Sequence, residues 1–162
     1  MPTSAYTICS LTGAVDVYNN SLSCYNVIEI VQFTRIPEPQ PGQPQVVARV
    51  PTCRIVAVWL RDDADDPNQL YEARLVSRRA GGEVSELGRF PQFRFPTQFH
   101  RLVVPEIPIV PARPGVAFVE CQIRRAEEGA EWINGNRFPI VFEEVPFQEP
   151  RPTDLQAPLP TT

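Results

Sequence analysis

Lysine is absent from the 162-residue chain, and all 15 of its basic residues are arginine. That removes Schiff-base catalysis by lysine and the phosphate-gripping lysine of a P-loop. Histidine occurs once, as His100. A histidine-rich metal site is therefore excluded, and a Ser-His or Cys-His engine has only that residue to draw on. No run of about 18 apolar residues occurs, so no transmembrane helix and no membrane partner are expected. Met1–Thr12 has neither a basic start nor a long apolar stretch, which argues against a secretory signal. No Cys-x-x-Cys pair exists, so neither a zinc ribbon nor a thioredoxin-like motif is supported. The net charge of −4 opposes general binding to nucleic acid.

What is present is apolar and rich in proline. Apolar residues make up 43% of the chain, enough for one packed core. Proline takes 19 positions, which favours turns and strand edges and opposes long helices. Cys9, Cys24, Cys53 and Cys121 are widely spaced in a chain large enough to build its own core. They read as reduced, mostly buried thiols, consistent with a cytoplasmic setting.

Almost every segment reads as strand. Val15–Tyr18 and Leu22–Tyr25 flank Asn19-Asn20, a hairpin signal. Val27–Ile36 is rich in β-branched residues and stops at Pro37, where the proline-rich stretch Pro37–Pro44 reads as a stiff surface loop. Val46–Val50 reads as another strand. Ile55–Leu60 is apolar at every position, as in a strand covered on both faces. Tyr71, Ala73 and Leu75 alternate with Glu72 and Arg74, and Ala80–Glu83 follows as a hairpin turn. Leu102–Val104 reads as a short strand ended by Pro105. Ala117, Val119, Cys121 and Ile123 share one face of the cleanest strand. Asn134-Gly135 reads as a turn before a last strand, Phe138–Val145.

About eight to ten short strands without a convincing helix predict an all-β fold, an antiparallel β-sandwich of Ig-like or C2-like type. The sandwich is expected over residues 1–145, with 146–162 a weakly packed proline-rich tail.

The chain resembles a family of small, uncharacterised bacterial β-sandwich proteins, a domain of unknown function. The resemblance is carried by Ala5–Cys9, by the hairpin into Asn26–Ile30, and by the strand–turn–strand around Leu70–Leu87. Pro114-Gly115 leading through Phe118 to Phe138–Phe142 completes it, over roughly residues 5–145. It implies a fold and a bacterial cytoplasmic setting, and carries no catalytic residue, metal or cofactor.

Four sets of residues are candidates for chemistry. Four of the nine phenylalanines fall in Phe90–Phe99. Phe90, Phe93, Phe95 and Phe99, rimmed by Arg94 and Arg101, would form a protein-interaction patch if exposed, or pin a loop over a sheet edge if buried. Asp62, Asp63, Asp65 and Asp66 are weak candidates for a calcium loop; supplying local backbone hydrogen bonds is the simpler role. His100 with a cysteine would make a nucleophile–base pair only within hydrogen-bond reach. Trp59 and Trp132 could stack on a sugar if both faced solvent. The inventory favours a non-catalytic interaction or assembly module, with a protein partner or homo-oligomer. A calcium- or carbohydrate-binding sandwich, or an enzyme built around His100, are the alternatives.

Overall fold

A computed structural model describes residues 1–15, 22–35, 52–109 and 113–146. The Asn19-Asn20 turn, the Pro37–Pro44 loop, the Val46–Val50 strand and the tail beyond Pro146 lie outside the described residues. The described residues form β1 (Thr3–Val15), β2 (Leu22–Val27), β3 (Ile30–Phe33), β4 (Thr52–Leu60) and β5 (Tyr71–Arg79). β6 (Val84–Phe93), β7 (Phe99–Pro108), β8 (Gly115–Arg125) and β9 (Ile133–Glu144) follow. Two sheets pack as a sandwich, one ordered β2-β1-β4-β7 and the other β3-β9-β8-β5-β6.

Strand alternation builds the core. Cys53, Ile55, Ala57 and Trp59 of β4 face Ala117, Val119, Cys121 and Ile123 of β8, and all are buried. Val56 and Val58 occupy the other face of β4 and are also buried, so this strand is covered on both sides. The Ala80–Glu83 turn closes the β5–β6 hairpin, with Gly82 at φ +86°. A positive φ suits glycine, which has no Cβ to clash.

Several expectations need correction. The sandwich is antiparallel except for one pair: β3 runs parallel to β9. Val27–Ile36 is not one strand, because Ile28 and Glu29 carry the chain from the first sheet to the second. Asn26 turns there at φ 54°, Ile28 N–H donates to Cys9 O at 3.0 Å, and Val141 N–H donates to Glu29 O at 2.8 Å. Asn134-Gly135 is no turn but part of β9, at a register shift opposite Glu120 and Gln122. Glycine is needed there for close approach: a Cβ on Gly135 would lie 2.2 Å from the Cys121 carbonyl oxygen. Pro105 does not end its strand either. β7 continues through Pro105 to Pro108 because it is an edge strand, where a missing N–H leaves no ladder bond unmade. Nor are all strands short: β1 spans 13 residues and β9 spans 12.

Candidate functional site

The phenylalanine-rich segment forms the corner between the sheets. β6 ends at Phe93, residues 94–98 cross to the other sheet, and β7 begins at Phe99. Register places Phe90 opposite Ala73 and Phe93 opposite Tyr71, both inward-facing positions. Phe95 is fully buried and meets Tyr71 edge-to-face, centroids 5.1 Å apart. Phe93 stacks on His100 at 4.5 Å, and Phe95 tilts against the same imidazole at 5.2 Å. Phe99 is half-buried with the Arg101 guanidinium 5.3 Å over its ring, while Arg94 donates to the Asn68 carbonyl at 3.2 Å. None of the four rings is fully exposed, and Phe95 touches no solvent. Of the two alternatives the rings follow the second: they turn inward as an aromatic plug that pins the crossing between the sheets.

His100 faces rings, and burial holds its pKa below the ordinary value. Cys9, Cys53 and Cys121 are buried. A hydrogen bond with Cys53, then burial, holds the Cys9 thiol protonated, and burial pushes Cys121 up to about 12. These thiols have the character of core side chains.

The acidic turn spends its carboxylates locally. Asp65 pairs with the Met1 ammonium, which holds its pKa below the usual range. Asp66 accepts from Asn68 N–H at 2.8 Å, Asp62 accepts from Ala64 N–H at 3.4 Å, and Asp63 accepts from the Gln98 amide. No group of three or more metal-ligating side chains converges among the described residues. Trp59 is fully buried, and Trp132 is flanked by the guanidinium groups of Arg74 at 4.3 Å and Arg124 at 4.6 Å.

The outer face of the five-stranded sheet carries a connected polar ladder. Glu120 is fully buried there, accepting from Arg137 Nε at 3.0 Å and Gln122 Nε2 at 2.8 Å, with Arg78 Nε 3.8 Å away. Gln122 in turn accepts from Arg74 at 2.8 Å and donates to Asn134 at 2.7 Å. Arg124 donates twice to Glu72. The long arginine stems cover this face, and the heads of Arg74, Arg124 and Arg137 are hydrogen-bonded within it. No local sequence pattern announces this ladder, which only the cross-strand register assembles.

An open, largely apolar surface lies between β6 and β7. Each is the edge of its own sheet, and the two edges lie on the same side of the sandwich, joined at the aromatic corner. Between them runs an open groove of about 370 Å³, with Leu75, Phe90, Val104 and Ile107 among its lining and Leu87 and Val103 still well exposed. Beneath it a partly open cavity of about 70 Å³, lined by Ile55, Ser77, Ala117, Val119 and Ile140, shares Leu87, Ile107 and Pro108 with the groove.

Both walls resist continuous strand pairing. On β6 the register jumps from Leu75–Gly88 to Val76–Glu86, which leaves Leu87 as a bulged extra residue. The bulge puts Glu86 and Arg89 on one face, where Arg89 grips Glu86 at 2.7 and 3.2 Å. On β7 the register shift leaves Pro105 and Glu106 outside regular pairing. Bulges, prolines and charges are the devices by which edges avoid aggregation.

A larger hollow of about 440 Å³ borders Leu11, Val27, Ile30 and Ile109, where the chain itself bridges the sheets at Ile28–Glu29. No helix among the described residues is long and apolar enough to cross a membrane. No protein-family model matches the sequence, and no curated protein is significantly similar to it.

Proposed function

We propose that the protein is a non-catalytic interaction module that takes an extended segment of a partner protein into the groove between β6 and β7. The groove carries this reading: it is apolar, flanked by two sheet edges, and continuous with a partly open cavity. Exposed apolar surface between strand edges suits an extended polypeptide, whose main chain meets the edge amides while its side chains meet the groove. The aromatic plug supports the role indirectly by fixing the angle at which the walls diverge. A reducing cytoplasm suits four cysteines that all remain free thiols.

Affinity capture from the source organism's lysate tests the reading, with wild type beside a Leu87→Arg/Val103→Arg variant. Both positions are well exposed, so the fold should tolerate the change, and a matched thermal melt checks it. A partner held by wild type and lost from the folded variant is expected. A partner held equally by both, or none at all, overturns the reading.

A further inference from the structure

We infer that the segment held in this groove is basic and aliphatic: a branched aliphatic side chain plugs the void, and a neighbouring lysine or arginine meets Glu106. This rests on the groove reading above and specifies its occupant. The void bounds the side chain. Protein interiors are close-packed, so a largely apolar, partly open gap beneath the groove lacks dispersion contacts that an inserted group would supply. At about 70 Å³ it is roughly half the volume of about 150 Å³ that admits benzene. A branched aliphatic group fits that space better than an aromatic ring.

The walls and rim fix the rest. Edge strands present backbone N–H and C=O groups, which a peptide satisfies and a hydrocarbon chain leaves unpaired. The bulge at Leu87 and the prolines at 105 and 108 stop a long strand of a second copy from zipping along either edge. A short segment needs only the uninterrupted stretches. Glu106 stands exposed at the rim and forms no ion pair among the described residues. Across the groove Arg89 is already gripped by Glu86. The open carboxylate and the net charge of −4 both favour a basic partner.

Selection of a random-peptide phage library against the full chain tests this, followed by titration of the enriched peptides with wild type and three variants. Expected are peptides combining Leu, Ile or Val with an adjacent Lys or Arg. Glu106→Lys should weaken them about fivefold, the scale of an exposed charge reversal. Ala117→Leu, which fills the void, should weaken them by at least about tenfold while leaving the thermal melt unchanged or raised. If Ala117→Leu disturbs the fold, Ser77→Val fills the same void from β5. Leu87→Arg should abolish binding. Peptides lost in Leu87→Arg but indifferent to Glu106→Lys and to the filled void would overturn this inference and leave the groove reading standing. Absence of binding peptides, or peptides indifferent to Leu87→Arg, would overturn both.

Discussion

Arg137 donates from Nε to the carboxylate of Glu120 at 3.0 Å, and that carboxylate has no exposed surface although it lies on the outer face of its sheet. The two members of the pair are unequal. Arg137 is about half exposed and can be rehydrated if its partner is removed, whereas Glu120 cannot. Arg137→Gln should therefore cost more stability than Glu120→Gln, about 2 kcal/mol against about 1 kcal/mol or less. The double variant should recover part of the loss. Urea unfolding of the three variants checks this; equal single losses would mean that the pair is hydrated as a unit.

Gly135 makes a second, steeper claim. A Cβ there would press on the Cys121 carbonyl and come within 3.1 Å of the Trp59 ring, and a backbone oxygen cannot rotate aside. Gly135→Ala should destabilise by about 2–4 kcal/mol. Gly81→Ala, with open space around its Cβ position and no positive φ, should be near neutral. Thermal melts of the pair separate a steric requirement from a general intolerance of substitution.

Gly135 also shows where sequence reading stopped. Alternation in Tyr71–Leu75 and Ala117–Ile123 was enough for the all-β class and for much of the core, because a half-buried strand writes its two faces into the chain. Asn-Gly, by contrast, has the same local preference in a turn as at a bulge. Only the partner strand decides, and no local pattern names the partner. The phenylalanine-rich segment was legible only in part. Its prolines and polar spacers signal a loop, but the loop is a corner whose inside is the core. The groove was the least legible feature of all. It exists because β6 and β7, consecutive in the chain, end up as edges of different sheets.

Burial of the corner predicts a graded cost of removing its rings. Phe95→Ala should destabilise by about 3–5 kcal/mol, since a fully buried ring leaves a cavity against Tyr71, Phe93 and His100. Phe99→Ala should cost clearly less, because its ring is only half-buried. Chemical denaturation of the two gives the order, and a reversed order would place Phe99 rather than Phe95 at the centre of the plug.

The thiols should divide by access. Cys9, Cys53 and Cys121 are buried, whereas Cys24 is partly exposed on the edge strand β2. Under native conditions a bulky disulfide reagent should label Cys24 rapidly and the other three only as fast as the protein opens. Cys24→Ser should abolish the fast phase, and all four thiols should react once the chain is unfolded. A fast phase surviving in Cys24→Ser would reveal an opening of the core at β1, β4 or β8.

His100 should give the protein a pH dependence that its stacking partners dictate. Burial against Phe93 and Phe95 disfavours the imidazolium, so the folded-state pKa lies below the unfolded value of about 6.5. Below that value the unfolded chain binds the proton more readily. Stability then falls as pH drops from about 6.5 toward the folded-state pKa, and is flat above about 7.5 as far as this group is concerned. His100 is the only histidine, so carboxylates add to the slope only at lower pH. His100→Phe keeps a ring against Phe93 and removes the proton. Its melting temperature should be nearly constant between about pH 7.5 and about pH 5.5, where that of wild type declines. A wild type equally flat over this interval would mean that the imidazole stays hydrated, and the plug would then be open on the His100 side.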